Sequence, residues 1–101
     1  MKDLSDCRVL IVDDVRSNVQ LLAEALKGDY RISVALDGES ALKAVEASQP
    51  DIVLLDIVMP GIDGYEVLRR LRSQPATREL PVMFLSSLED VADKAKGFEL
   101  G

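Results

Sequence analysis

"DIVLLDIVMPGIDG", residues 51–64, decides the fold. Ile52, Val53, Leu54 and Leu55 form an uninterrupted apolar run, the pattern of a strand covered on both faces of a parallel sheet. The chain then passes straight into a carboxylate, Asp56, and an ionised carboxylate is costly to bury unless something compensates it. Beyond it, Met59-Pro60-Gly61 and Asp63-Gly64 supply the turn chemistry that carries a backbone from strand to helix. An ordinary connection accounts for Pro60 and the glycines. It does not account for the charge.

On either side the chain alternates between strand and helix patterns. "CRVLIV" (7–12) predicts strand one. "VRSNVQLLAEALKG" (15–28) places Val15, Val19, Leu22 and Leu26 at helical spacing, with Gly28 positioned to stop the helix. "RISVAL" (31–36) alternates polar and apolar residues, as a strand with one wetter face does at a sheet edge. "DGESALKAVEAS" (37–48) is a second helix closed before Pro50, and "GYEVLRRLRS" (64–73) a third that Pro75 ends. "LPVMFLSS" (80–87) predicts strand four, and "EDVADKAKGFELG" (89–101) a fourth helix with Val91, Ala95 and Phe98 on one side. This alternation predicts an α/β domain, a doubly wound parallel sheet with helices on both faces. Right-handed crossovers, interior apolar strands and an edge strand two are all met by the flavodoxin-like order 2-1-3-4.

Composition removes most chemistries. At 101 residues, 48% apolar and 30% charged, the chain has the size and character of one small soluble domain. No apolar run approaches a membrane span, and "MKDLSDC" lacks the regions of a signal peptide. Cys7 has no cysteine partner, which suits a reducing cytoplasm, and reads as a small hydrophobe at the start of strand one. A net charge of −6 argues against contact with nucleic acid. The absence of histidine removes Ser-His and Cys-His nucleophiles and histidine-ligated zinc or iron. What remains is carboxylates, hydroxyls, lysines and a hard cation held by oxygen.

In the order 2-1-3-4 the chain reverses direction between strands one and three, and open α/β sheets bind ligands beyond the carboxyl ends of the strands at that point. Strand one ends in Asp13-Asp14, strand three in Asp56, and strand four in the hydroxyls of Ser86-Ser87. A single such Asp, Asp14 for instance, could simply cap a helix. Three carboxylates together must share a proton or hold a cation, and an oxygen-only, water-accessible cluster suits Mg²⁺ at a phosphate site.

"VLIVDD", "DIVLLDIVMPGIDG" and "LPVMFLSS" together resemble the receiver domain of bacterial two-component response regulators, in order and spacing across nearly the whole chain. "DDVRSNVQLL" and "RSQPATRELPV" resemble in particular receivers that precede signalling output modules such as diguanylate cyclases. The resemblance implies a CheY-like fold, with residues 1–101 forming one receiver domain cut after the fourth helix. It implies that Asp56 is the phosphoacceptor, attacking the phosphohistidine of a sensor histidine kinase or histidine phosphotransfer protein. Asp14, Asp56 and the backbone carbonyl of Val58 would bind Mg²⁺, with Asp13 acting through a bound water. Ser86, or Ser87 if the strand ends one residue later, would hydrogen-bond the phosphoryl group and reposition on activation. Arg16, Ser17 and Gln20 on helix one would meet the kinase. Val58 and Leu88 stand where the family influences dephosphorylation, and two apolar side chains there would orient no attacking water. The resemblance further implies a cytoplasmic signalling domain that catalyses only its own phosphotransfer and dephosphorylation, joined to an output domain outside this chain, without direct contact to nucleic acid or membrane.

The family continues through a fifth strand, a lysine that pairs with the phosphoryl group, and a fifth helix, whereas this sequence stops after "KGFELG". Lys94 and Lys96 belong to a helical pattern and read as a solvated face. The expectation is a piece of a longer protein, marginally stable alone, with strand four as an edge open to self-association and an apolar patch bared beside helix one. Two other function classes stand beside the receiver. A receiver-like interaction module that is never phosphorylated need not bind Mg²⁺. A phosphohydrolase of α/β fold usually needs a second Asp two residues after its nucleophile, where this chain has Val58. A nucleotide-binding flavodoxin-like domain would need a Gly-rich phosphate loop after strand one, and none is present.

Overall fold

Four short apolar runs become strands, and the computed structural model, which describes residues 6–85, joins them into one parallel sheet. The strands are β1 (Arg8–Val12), β2 (Arg31–Ala35), β3 (Ile52–Asp56) and β4 (Val82–Leu85). They alternate with α1 (Arg16–Leu26), α2 (Gly38–Ser48) and α3 (Gly64–Arg72). The sheet order is β2-β1-β3-β4, the flavodoxin-like order expected from the patterning. Val12 stands opposite Ala35 on one side and Leu55 on the other, and Asp56 stands opposite Leu85. Ser86, Ser87, Leu88 and the expected fourth helix lie outside the described residues. Among the described residues no helix is long and apolar enough to cross a membrane.

Pleating sends alternate strand residues to opposite faces, and each face builds its own core. Leu10, Val12, Val53 and Leu55 meet Ala41 and Val45 of α2 and Val67 and Leu71 of α3. Val9 and Ile11 meet Val19 of α1, with Ile52 and Leu54 packed partly against them. The centre of the sheet is dry, since Leu10, Ile11, Val12, Val53 and Leu55 have no measurable exposure. Its rims are wetter. Val34 on edge strand β2 is 50% exposed, and Met83 on β4, paired with Leu54, is 57% exposed. Among the described residues β4 is therefore the second edge, with an apolar side chain bared on the α1 side of the sheet.

Helix boundaries follow capping chemistry. Asp37 accepts a 2.7 Å bond from the Ser40 amide to open α2, and Asp63 a 2.9 Å bond from the Glu66 amide to open α3. Val15 stands at the N-cap of α1 without a side-chain cap. The expectation that Val15 belongs to the apolar face of the helix is corrected, because it precedes the helix and is 45% exposed. Gly28 lies in the turn after α1 and is not left-handed, whereas α2 ends at Gln49 with φ 48° just before Pro50. Across the α2–α3 surface Arg70 reaches both Glu39 (3.4 Å) and Glu66 (2.8 Å), and Arg69 also holds Glu66. Hydrogen bonds from Arg69 and Arg70 hold the Glu66 carboxyl down at about 2.

Candidate functional site

Because β1 and β3 are adjacent and parallel, their carboxyl ends open on the same rim. Asp13 and Asp14 directly follow β1, and Asp56 closes β3. Carboxylate oxygens of the three residues all lie within 4.8 Å of one another, although 42 residues separate Asp14 from Asp56. Asp13 and Asp56 are buried at 5% and 8% exposure, and Asp14 faces solvent. The three carboxylates expected at the switch point are thus brought together, while Ser86 falls outside the described residues.

Asp13 is held on both oxygens. One accepts 2.9 Å from the Val15 amide and the other 3.2 Å from the Asn18 side-chain amide, while the Asp13 amide continues the ladder to the Ala35 carbonyl. The turn into α1 is therefore secured by Asp13, and among the described residues no capping bond explains Asp14. Asn18 was missed by sequence reasoning. An amide side chain one turn into the helix after a strand-end Asp is the signal that could have found it.

The loop after Asp56 is pinned by alternate residues. Ile57 and Met59 are buried at 4% and 7%, Met59 within the larger core, while Val58 between them is 47% exposed. Gly61 turns the chain with φ 78°, a left-handed conformation that a side chain would strain. The Gly64 amide then donates 2.8 Å to the Ile57 carbonyl, tying the start of α3 to the end of β3.

Three clustered carboxylates, two of them buried, are a like-charge arrangement that a cation relieves. The donor set is all oxygen, with one member open to water, which fits a hard ion that keeps several of its own waters. Among the described residues no other group of His, Cys, Asp or Glu is arranged to hold a metal.

Residues 9–101 match the family model of the response regulator receiver domain. The chain is 43% identical over 95 residues to the response regulator PleD of Caulobacter vibrioides, covering 93% of this chain and 21% of that protein. It therefore spans about a fifth of the length of that curated relative. The N-terminal domain of a response regulator receiver protein from Methanoculleus marisnigri superposes with a TM-score of 0.75 at 39% identity, over 87% of this chain and 76% of that one. The chemotaxis response regulator CheY4 of Vibrio cholerae superposes with a TM-score of 0.81 at 28% identity, over 95% of this chain and 81% of that one.

Proposed function

Since the chain belongs to the response regulator receiver domain family, a family of phosphoryl-accepting signalling domains, we propose that Asp56 accepts a phosphoryl group from a phosphohistidine in a Mg²⁺-dependent reaction. The observation that carries this reading is the meeting of Asp13, Asp14 and Asp56 within 4.8 Å at the switch point of the sheet. An Oδ atom of Asp56 attacks phosphorus, and a P–O bond forms as the P–N bond to the donor imidazole breaks. The electron pair of that bond leaves on the imidazole nitrogen. Asp14, Asp56 and the Val58 carbonyl would supply the direct oxygen ligands, and Asp13 would act through a water. Bound there, Mg²⁺ supplies positive charge that offsets repulsion between the carboxylates and the incoming phosphoryl group.

The residues around the cluster fix its geometry. Val15 and Asn18 hold the Asp13 carboxylate at both oxygens, so it enters the reaction already oriented. Buried Ile57 and Met59 keep the Asp56 loop from swinging, which leaves positioning and charge as the main sources of rate. Ser86, one residue past β4, donates to the phosphoryl group once it has transferred. Exposed Arg16, Ser17 and Gln20 on α1 sit beside the site and are the surface offered to a histidine kinase or histidine phosphotransfer protein. The signal is then read in the cytoplasm by an output domain covalently linked beyond this segment.

Intact-mass measurement after incubation with Mg²⁺ and a small phosphodonor tests the reading. We expect one phosphoryl adduct on the parent and none on Asp56→Asn. An adduct of equal yield on both would remove Asp56 from its role, and Mg²⁺ binding by neither protein would favour an unphosphorylated docking module.

A further inference from the structure

Gly64 opens α3 from a buried position against the end of β3. Its amide donates 2.8 Å to the Ile57 carbonyl. A β-carbon at position 64 would strike the Asp56 carbonyl oxygen, and would stand 2.9 Å from the Ile57 Cα and 3.2 Å from the Asp56 carbonyl carbon. Every one of these atoms is backbone, so none can rotate out of the way. We propose that Gly64 is a positioning residue for Asp56: its lack of a side chain lets the first turn of α3 press on the Asp56–Ile57 peptide and hold the carboxylate in register with Asp13 and Asp14. The proposal rests on the reading of Asp56 as phosphoacceptor.

Gly38 shows why the identity of the neighbouring atoms matters. It also opens a buried helix start, and a β-carbon there would crowd the Ile62 side chain and stand 2.9 Å from Val67 Cγ2. Those are side-chain atoms that can repack. At Gly64 relief requires either α3 or the Asp56–Ile57 peptide to move by several tenths of an ångström, and the Asp56 carboxylate hangs from the peptide that moves. Functional constellations tolerate displacements of only about 0.5 Å, and about 1 Å of misplacement costs on the order of a hundredfold. A loss of about tenfold is therefore expected from an added methyl group at position 64.

The test compares Gly64→Ala with Gly38→Ala in the full chain by heteronuclear NMR. We expect Gly64→Ala to move the Asp56 carboxyl resonance and the amides of residues 55–58, and to weaken Mg²⁺ binding about tenfold. We expect Gly38→Ala to leave the Asp56 carboxyl in place and Mg²⁺ affinity within twofold, even where it lowers the unfolding temperature as much. Unmoved Asp56 resonances in folded Gly64→Ala, or equal movement in both variants, would overturn the proposal. If Gly64→Ala does not fold, hydrogen exchange in the parent decides. A Gly64 amide as protected as those inside β3 supports the contact, and one exchanging as fast as an unstructured peptide refutes it. These readouts do not involve phosphate, so a parent that takes up no phosphoryl group would count against Asp56 as acceptor while leaving the positioning result intact.

Discussion

Replacing the exposed member of the acidic cluster, Asp14→Asn, measures what the cluster costs the fold. Asp14 presents a carboxylate oxygen within 4.8 Å of those of Asp13 and Asp56. At that separation two unit charges repel by about 0.9 kcal/mol in water, so the two pairs together oppose folding by just under 2 kcal/mol, and by more where burial lowers the effective dielectric. Screening at about 0.15 M salt, with a Debye length near 8 Å, reduces this to about 1 kcal/mol. In a domain of this size each kcal/mol moves the unfolding temperature by about 4–8 °C. With a chelator present and little salt, Asp14→Asn should therefore unfold about 7–14 °C above the parent, and the gap should shrink as salt is added. On the proposed reading of the site Mg²⁺ should reverse the ranking, because an ion at a hundred times its dissociation constant would stabilise the parent by about 2.7 kcal/mol while the variant would lack a ligand. Calorimetric scans at two ionic strengths, with and without Mg²⁺, read all of this. A variant no more stable than the parent in chelator at low salt would refute the electrostatic argument.

Other parts of the molecule give four further outcomes. The Glu66 carboxyl is held at about 2, below its ordinary 4.5, by Arg69 and Arg70, so its contribution is fully present above pH 4.5 and is lost as pH falls toward 2. Glu66→Gln lacks that ionised pairing, and its unfolding temperature should fall less steeply than the parent's across this window; parallel curves would contradict the pairing. Leu71→Ala empties a core site that is 2% exposed and should cost about 2–5 kcal/mol by chemical denaturation. Leu21→Ala, at a site 71% exposed, should change stability by less than about 0.5 kcal/mol. Replacing both Val58 and Leu88 by Asn gives an attacking water polar partners and should shorten the lifetime of the phosphoryl group about tenfold or more, followed by mass spectrometry of the decaying adduct. An unchanged lifetime would show that the apolar pair does not govern water.

Strand order was legible because it rests on burial. The alternation in "RISVAL" marks an edge, and the apolar runs of β1 and β3 mark the interior. The meeting of Asp14 and Asp56 follows from that order alone. Finer detail was not legible where it depends on how neighbouring residues are aimed. Asp13 and Asp14 are adjacent and chemically identical, and only the register of β1 between β2 and β3 decides that Asp13 turns inward to Val15 and Asn18. Val15 has helical spacing with Val19, yet the bond from its amide to Asp13 keeps it outside the helix. The Glu66 pairs with Arg69 and Arg70 lie within one helical turn and could be read from spacing, but Arg70 to Glu39 crosses 31 positions and needs the packing of α2 on α3. Gly64 reads as a turn residue in sequence. Its closeness to the Asp56 carbonyl exists only in three dimensions.

The inner position of β1 also has a consequence for synthesis. This strand, dry on both faces, emerges from the ribosome before either of its neighbours. Asp56, at the end of β3, follows Val12 by 44 residues, which at about 5–20 residues per second is a delay of about 2–9 s. For that interval Leu10, Ile11 and Val12 present an apolar surface and the backbone edge that β3 will cover to whatever is nearby, and until β2 is made the opposite edge is open as well. Parallel pairing cannot shorten the wait, since each partner arrives only after an intervening helix. The charged residues that bracket the run, Arg8 before it and Asp13-Asp14 after it, are then the nascent strand's own guard against pairing with a stranger. The carboxylates that end clustered at the rim of the sheet begin as protection for an unfinished chain.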